Sequence, residues 1–382
     1  MAAPDASRVE TTEGDDTPLA EQLRARIHAS GPMPLAAFVL ACLHDPVHGY
    51  YRNHQPLGMA GDFITAPEIS QLFGEIIGAW TVVVAEALRN AEPNDAVRLI
   101  ELGPGRGTLM SDVLRVAQSR PELAGKLGVH LVEQNERLRE QQRSTLESNG
   151  HQFSFHDALE DVPCGPSILL ANEFFDCLPI DQLVWQGDSW RLRCVGLDDS
   201  HQFQLQCGEQ ASIELTQLPE QAPEQSATLE TCPELPELVS KLATRLRASP
   251  GVALIIDYGT SETTYGDTLQ AIRNHQHVDP LSRPGETDIT AHVNFAELAR
   301  LARRNDLNVY GPMPQAQFLT ELGLVQRLAK LMNGADAATR NQLELAAGRL
   351  AAPGAMGNVF KVMALTSPQI GPPPPFTLES QP

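Results

Sequence analysis

A short glycine-rich loop is the part of the sequence whose residue types and spacing point most directly to chemistry. It reads Glu101-Leu102-Gly103-Pro104-Gly105-Arg106-Gly107-Thr108 and joins a strand-like apolar run to an amphipathic segment. Three glycines at alternate positions allow a tight turn and let a ligand approach bare backbone, while the helix start supplies free N–H groups. The loop predicts a nucleotide-cofactor site. It lacks the spacing of the dinucleotide loop G-x-G-x-x-G and the Gly-Lys-Ser/Thr of a phosphate loop.

Further polar positions follow the next two strand-like runs. Glu133 comes directly after the run 129–132, and Asp157 with Ala158 follows the run 153–156. The pattern E-x-G-x-G-x-G after a first strand resembles motif I of the class I S-adenosylmethionine (SAM) methyltransferases. That resemblance implies a methionine subsite in the loop, with the acid meeting the ammonium group, then a carboxylate for the ribose hydroxyls and a polar site for adenine. In this order the residues favour SAM over NAD as the cofactor.

The fourth strand-like run ends in a second group of functional residues, Ala171-Asn172-Glu173-Phe174-Phe175-Asp176. Side chains at the carboxyl ends of strands in an open sheet face the ligand crevice. The Asn-Pro-Pro-Tyr sequence of enzymes that methylate amino groups of nucleic acids is absent here. A guanidinium fits better, because Glu173 can accept two parallel N–H bonds and Asp176 can supply a second carboxylate. Spacing alone equally allows Glu173 to cap a following helix.

The histidines offer weaker evidence. His292 can take up a proton or orient an acceptor, although a lone histidine is more often structural. His275 and His277, with Asp279, make an incomplete ligand set, so no metal site is predicted. No Ser-His-Asp or Gly-x-Ser-x-Gly arrangement is present, so hydrolysis has little support.

The elements that must position these residues follow two patterns. Helical spacing dominates first: Thr17-Pro18 predicts a helix start, Pro34 begins a helix that Pro46 ends, and 69–84 carries an apolar stripe. Short β-branched runs then alternate with amphipathic helices, which is typical of a parallel sheet covered on both faces. The runs are 97–102, 129–132, 167–171 and 252–256, with a last candidate at 358–365. The chain therefore predicts a doubly wound α/β fold.

One stretch interrupts this alternation. A hairpin (183–185 and 190–197) and a third strand candidate (203–207) lead into a Pro- and Glu-rich segment. Between Cys194 and Ser240 there are nine acids and no Lys or Arg, which favours a solvated insertion over an arm that grips a basic partner. The predicted segments are a disordered acidic tail (1–16), a helical cap (17–94), the first core part (95–182), the hairpin and insertion (183–247), the second core part (248–365) and a Pro-rich tail (366–382).

The composition indicates which partners and which cellular location to expect. The 28 Lys and Arg against 48 Asp and Glu leave a net charge of −20, which repels polyanions, so nucleic acid is not expected, and attracts cations. Six cysteines without a C-x-x-C pair fit a reducing compartment. No uncharged apolar run is long enough for a membrane span, and the acidic N-terminus is unlike a transit peptide. We expect a cytoplasmic protein.

Longer motifs in fixed order resemble the MidA family of SAM-dependent methyltransferases, which includes the mitochondrial complex I assembly-factor arginine methyltransferase. They lie at 61–68, 73–75, 101–108, 172–179, 257–259, 266–270, 288–292 and 356–361. The resemblance implies a seven-stranded methyltransferase fold with SAM as cofactor. From the mitochondrial member it implies symmetric dimethylation of an arginine in a complex I core subunit. The cofactor-binding residues implied are Glu101, Gly103, Gly105, Gly107, Glu133, Asp157, Ala158 and Asn172.

The chemistry of these side chains suggests Glu173, Asp176 and His292 as catalytic residues for such a reaction. Glu173, with Asp176, is expected to orient one guanidinium nitrogen and stabilise developing charge, while His292 or Asp288 assists proton loss. The loop 58–67 and the N-terminal helices are expected to close over the cofactor. The partner is then a protein with an exposed arginine. Two rival functions stay open: methylation of a small molecule, and an assembly factor that keeps the fold but acts by binding. The sequence does not indicate an oligomeric state.

Overall fold

A computed structural model describes residues 16–53, 65–92, 95–147, 151–211, 218–219 and 221–378. The predicted acidic tail, except Asp16, and most of the loop 58–67 lie outside these residues. The first helix begins as predicted, because the Thr17 hydroxyl accepts the Ala20 N–H at 3.1 Å and Pro18 occupies the first helical position. The N-terminal elements are α1 (Pro18–Ser30), β1 (Met33–Pro34), α2 (Leu35–His44), α3 (Tyr50–Asn53), α4 (Ala66–Ile69) and α5 (Gln71–Ala91).

Strands and helices then alternate through the rest of the chain. The first half of the core holds β2 (Val97–Leu102), α6 (Thr108–Ala117), α7 (Pro121–Ala124), β3 (Leu127–Val132), α8 (Glu136–Glu147), β4 (Phe153–His156) and β5 (Ser167–Asn172). The insertion supplies β6 (Asp181–Trp185), β7 (Trp190–Leu197), β8 (Phe203–Gln210) and β9 (Thr228–Thr231). The remainder comprises α9 (Leu235–Ala248), β10 (Gly251–Thr260), β11 (Gln270–Arg273), β12 (Gln276–Val278), β13 (Asp288–Thr290), β14 (Val293–Asn294), α10 (Phe295–Arg304), β15 (Asn308–Pro314), α11 (Gln315–Glu321), α12 (Leu324–Met332), α13 (Ala337–Ala351), α14 (Met356–Val359) and β16 (Phe360–Thr366).

The central sheet brings several strand ends to one edge. Its order is β15-β16-β10-β5-β2-β3-β4, with β16 antiparallel to both neighbours and the pairs from β10 to β4 parallel. The chain runs outward from β2 to β4 and then returns to β5 on the other side of β2, and such a reversal is where open sheets bind ligands. The predicted α/β class and mainly parallel sheet are confirmed. The described sheet has eight strands, because the short β14 pairs with the end of β10.

Apolar side chains on both faces of the sheet explain its two helical layers. Along β10, Val252, Leu254 and Ile256 face the cluster that contains α5 and α6, whereas Ala253 and Ile255 face the cluster that contains α9 and α10. This alternation on an entirely buried strand is what a parallel sheet between two layers requires.

Helix α9 begins within the predicted insertion 183–247. Its residues Leu235, Val239 and Leu242 are buried in the core beside the sheet. The predicted insertion 183–247 therefore includes a helix that packs in the core. The acid-rich composition up to residue 240 concealed this amphipathic helix.

The predicted cap 17–94 also divides into two parts. Helix α5 packs on α6 in the core, and a Cβ on Gly74 would lie only 2.4 Å from the Asp112 carboxylate, so glycine permits this close approach. Helices α1 and α2 instead share an apolar cluster with the insertion, because β1 pairs with β7 through Met33 and Val195. The resulting sheet has the order β1-β7-β6-β9, with β8 on β7, and the three strands β12-β11-β13 lie under it.

Helix α5 is long and largely apolar. Within the described ranges it is the one helix long and apolar enough, by length and composition, to cross a membrane. In this fold 72% of its most apolar window is buried, as in the core helix of a folded protein.

A buried ion-pair network ties α5 to α6 and α12. The Glu75 side chain is 4% exposed, and its oxygens accept bonds from Arg115 Nη1 at 2.7 Å and from Arg327 Nε and Nη2 at 2.6 and 2.8 Å. Burial opposes ionisation, but the bonds from Arg327, Arg115 and Gln71 outweigh it and lower the pKa of Glu75 to about 2. The carboxylate therefore stays ionised and saturated with donors.

Replacing Glu75→Gln should lower the free energy of unfolding by about 3 kcal/mol, since two arginines lose a buried partner. The folded-state pKa lies below the ordinary 4.5, so this stabilisation is complete above pH 4.5 and is lost as pH falls toward 2. Urea unfolding should therefore show a smaller difference between wild type and variant at pH 3 than at pH 7. The exposed Glu86→Gln on the same helix should change stability by less than about 0.5 kcal/mol. A pH-independent difference would contradict the assignment.

Candidate functional site

A cavity of about 840 Å³ lies at the carboxyl ends of the central strands. Its floor is formed by the loops after β2, β3, β4 and β5, and its roof by α2, α3 and α4. Most of the predicted site residues meet here. Those that line the cavity are Glu101, Gly103, Gly105, Glu133, Asp157, Ala158, Asn172, Glu173 and Asp176.

The glycine loop has the tight turn that the sequence predicts, with Gly103, Gly105 and Gly107 all at positive φ. Gly103 has φ +58°, and a Cβ there would lie 2.9 Å from the ring of Phe174. Gly107, with φ +80°, is the N-cap of α6 and is not among the residues that line the cavity. The Gln142 side chain supports the loop from behind by donating to the Gly105 carbonyl at 2.7 Å. The loop backbone is thus held in a shape that side chains would block.

Unpaired acceptors surround the cavity. Glu68 Oε2, Glu101 Oε2 and Asn172 Oδ1 are buried, line the cavity and have no hydrogen-bond partner among the described residues. Burial raises the pKa of Glu101 to about 8, although a bond from the Met110 N–H partly offsets it. Unpaired buried acceptors are costly, so the site favours a ligand that brings donors and positive charge. The ammonium and ribose hydroxyls of SAM would supply such donors, and its ammonium and sulfonium would supply positive charge.

The ribose and adenine positions differ in burial. Glu133 accepts the Asn135 N–H at 2.8 Å and the Gln142 amide at 3.3 Å, and burial raises its pKa. The Asp157 carboxylate is 77% exposed and pairs with Arg139 at 2.6 Å. Glu133 therefore lies inside the cavity, and Asp157 lies at its open end.

A buried carboxylate builds the turn that carries Glu173. Oδ2 of Asp257, at the end of β10, accepts the N–H groups of Phe174, Phe175 and Asp176 at 3.2, 2.9 and 3.2 Å. Glu173 itself has φ +50°, which a non-glycine residue rarely adopts. The turn fixes this conformation and directs Glu173 into the cavity.

Glu173 does not cap a following helix, so that alternative is wrong. Its Oε1 instead accepts the N–H of Ala66, the first residue of α4, at 2.9 Å and the Asn172 amide at 3.1 Å. Burial, with the neighbouring Asp176 charge, raises the pKa of Glu173 to about 7 against the effect of the Ala66 bond. Both bonds end on Oε1, which leaves Oε2 as the oxygen for a bound ligand.

Two further acids line the same cavity as Glu173. Asp176 is buried, and desolvation raises its pKa. Asp288, on β13, accepts the Tyr51 hydroxyl at 3.1 Å, and the same hydroxyl lies 2.8 Å from Cys177 Sγ. Tyr51 thus connects the roof of the cavity to the acidic part of its wall.

His292 is not among the residues that line this cavity. It lines a second cavity of about 250 Å³, and its N–H donates to the Thr268 hydroxyl at 2.9 Å. Burial lowers its pKa, and its ring meets the edge of Tyr258 at 5.5 Å. His292 therefore lies outside the lining of the main cavity, and its expected part in proton transfer stays a prediction. Its alternative, Asp288, does line the main cavity.

The described residues contain no cluster of three or more His, Cys, Asp or Glu able to hold a metal ion. The sequence patterns missed three site residues. Asp257 follows a predicted strand just as Glu133 does, so the same rule could have found it. Tyr51 and Glu68 reach the cavity only because the N-terminal elements fold over the sheet, and no local pattern signals that.

The chain resembles known methyltransferases along most of its length. Residues 76–313 match a family of S-adenosyl-L-methionine-dependent methyltransferases. The zebrafish (Danio rerio) mitochondrial protein arginine methyltransferase NDUFAF7 is 35% identical over 368 residues, 90% of this chain and 86% of that protein. The human protein of the same name is 34% identical over 379 residues, covering 93% and 85%. A Burkholderia thailandensis crystal structure with bound S-adenosyl-homocysteine superposes with a TM-score of 0.79 at 26% identity over 92% of each chain. These matches agree with the donor requirement of the cavity, and the cofactor is SAM.

Binding of S-adenosyl-homocysteine should release a proton. With a Glu101 pKa of about 8, a ligand ammonium binds the ionised form, so affinity should fall as pH falls from 8 to 6. Calorimetry at pH 7 in buffers of different ionisation enthalpy measures the release. The number of protons released should be smaller by close to one in Glu101→Gln and unchanged in the exposed Glu122→Gln. Equal release in wild type and Glu101→Gln would show that Glu101 does not meet the cation.

Proposed function

Because the chain belongs to the MidA family of SAM-dependent methyltransferases, we propose that it methylates an arginine side chain of a protein. The observation that carries this proposal is Glu173, a half-buried carboxylate held in the cavity wall, with Asp176 and Asp288 lining the same cavity. Acids grouped in this way suit a guanidinium, which brings several donors and a delocalised positive charge. Arginine methylation in the names of the curated relatives supports the same acceptor.

The order of the strand ends suggests how the cofactor lies. Following the sheet from β4 to β5, we assign Asp157 and Ala158 to adenine, Glu133 to the ribose, and Glu101 with the glycine loop to the methionine part. Bound SAM supplies a methyl group on a positively charged sulfur. The acceptor position then falls beside Asn172 and Glu173, at the end of β5.

The acids have a defined task in this proposal. A free guanidinium has a pKa of roughly 13 or above and is a poor nucleophile because its lone pairs are delocalised. Glu173 would orient one nitrogen of the guanidinium and stabilise the positive charge that develops during methyl transfer. Asp288, hydrogen-bonded to Tyr51, would take the proton that methylation displaces, in place of His292.

The finer parts of the assignment are proposals of the same kind. Symmetric dimethylation, a complex I subunit as the acceptor, and a cytoplasmic location rest on the family resemblance and on composition. A small-molecule acceptor is the second candidate, since the cavity could also admit a free amine. A purely binding function is disfavoured, because the glycine loop and the unpaired acceptors keep the features that hold a cofactor.

Replacing Glu173→Gln should abolish methylation while leaving cofactor binding nearly intact. Gln can still accept the Ala66 N–H through its amide oxygen, but it loses the charge that faces the guanidinium. We expect turnover to fall by roughly 1,000-fold. The dissociation constant for S-adenosyl-homocysteine, measured by calorimetry, should change by no more than about threefold, and Glu122→Gln should match wild type in both assays. Turnover within a factor of two of wild type would refute the assignment.

The acceptor class can be tested without knowing the acceptor. Purified enzyme and methyl-labelled SAM are incubated with an extract of the source organism from which the gene has been deleted. Label in protein, with symmetric dimethylarginine found by mass spectrometry, supports the proposal. Label confined to small molecules supports the second candidate. SAM binding without transfer to any fraction supports a binding function.

A further inference from the structure

Glu68 is a largely enclosed acid that the proposed mechanism does not use. It lies on α4 in the roof of the main cavity, its side chain is 9% exposed, and its Oε2 is buried without a hydrogen-bond partner among the described residues. Its Oε1 meets only one cation, Arg106 Nη1, at 3.5 Å. That separation exceeds the 2.7–3.2 Å of a normal N–H···O bond. The carboxylate is therefore enclosed but incompletely satisfied.

Arg106 approaches the same space from the floor. It stands between Gly105 and Gly107 in the cofactor loop, lines the cavity, and leaves 49% of its side chain exposed. Its backbone carbonyl is fixed by a 3.0 Å bond from the Thr145 hydroxyl. The guanidinium is thus anchored at its backbone and free to turn toward a ligand that enters beside Glu68.

The position of this pair identifies the part of the cofactor that would meet it. In the orientation proposed above, on which this inference rests, adenine and ribose lie toward β4 and β3, which leaves the amino-acid end of SAM at the glycine loop that contains Arg106. That end is a zwitterion with one ammonium and one carboxylate. An acid and an arginine that face each other at 3.5 Å present the complementary charges in the same small region.

We propose that Glu68 and Arg106 form a two-point clamp for the amino-acid end of the cofactor. Glu68 accepts from the ammonium, and Arg106 donates two parallel bonds to the carboxylate. The ammonium has three donors, so it can bond to Glu101 on the floor and to Glu68 in the roof together. The two ammonium bonds would end on Glu101 Oε2 and Glu68 Oε2, which both lack a hydrogen-bond partner among the described residues.

The clamp would also link cofactor binding to the acceptor site. Helix α4 is four residues long, and its first residue, Ala66, donates to Glu173 at 2.9 Å. Glu68 lies two residues further on the same helix. Holding Glu68 on the ammonium therefore holds the N–H that orients Glu173.

The test compares ligands that differ at the amino-acid end, and each variant is compared with wild type for the same ligand so that the extra sulfonium charge of decarboxylated SAM cancels. S-adenosyl-homocysteine carries both charges, decarboxylated SAM carries the ammonium without the carboxylate, and 5′-methylthioadenosine carries neither. Calorimetry gives the dissociation constant of each ligand for wild type, Glu68→Gln, Arg106→Gln and the exposed control Glu122→Gln. Binding of 5′-methylthioadenosine reports whether each variant retains a folded adenosine site.

Glu68→Gln should weaken S-adenosyl-homocysteine and decarboxylated SAM by about 10- to 100-fold. Arg106→Gln should weaken S-adenosyl-homocysteine to a similar extent but change decarboxylated SAM by less than about threefold. Neither variant should change 5′-methylthioadenosine by more than about twofold. Equal losses for all ligands, or no loss for S-adenosyl-homocysteine, would overturn the clamp. If Glu68→Gln binds no ligand, the Arg106→Gln comparison decides alone. Because no methyl acceptor is used, failure here leaves the arginine proposal standing.

Discussion

Buried carboxylates that lack enough protein donors are the constraint on which the site depends. Burying a charge is tolerated only when partners offset its lost hydration. At the carboxyl edge of the sheet, Glu68, Glu101 and Glu173 are enclosed with fewer donors than they can accept. The cavity is therefore incomplete without a cation. SAM supplies one cation, and in our proposal the acceptor guanidinium supplies another.

The same fold contains a carboxylate in the opposite condition. Glu75 receives bonds from two arginines and a glutamine, and its pKa lies near 2, whereas that of Glu101 lies near 8. Glu75 holds helices together and has no capacity for a ligand. Asp257 is likewise saturated, by the backbone N–H groups of the turn that presents Glu173. Carboxylates with a full set of protein hydrogen-bond donors thus stabilise the fold, and carboxylates that lack donors form the site.

Local pattern accounts for what the sequence could predict. The loop 101–108, Glu133 and Glu173 each follow a strand-like run, so their meeting at one edge follows from a parallel sheet. Long-range folding determines the rest. The roof residues Tyr51 and Glu68 reach the cavity through the packing of N-terminal elements, and the two-residue β1 joins the insertion sheet. His292 lines the second cavity rather than the main one, and spacing along the chain does not indicate which of the two cavities it lines.

A crystal structure with S-adenosyl-homocysteine and an arginine-containing acceptor peptide would test the central claim most directly. The account predicts that the peptide guanidinium lies within hydrogen-bond distance, about 3 Å, of Glu173 Oε2. The cofactor ammonium should likewise contact Glu101. An acceptor side chain bound elsewhere, with Glu173 still bonded only to Ala66 and Asn172, would contradict it.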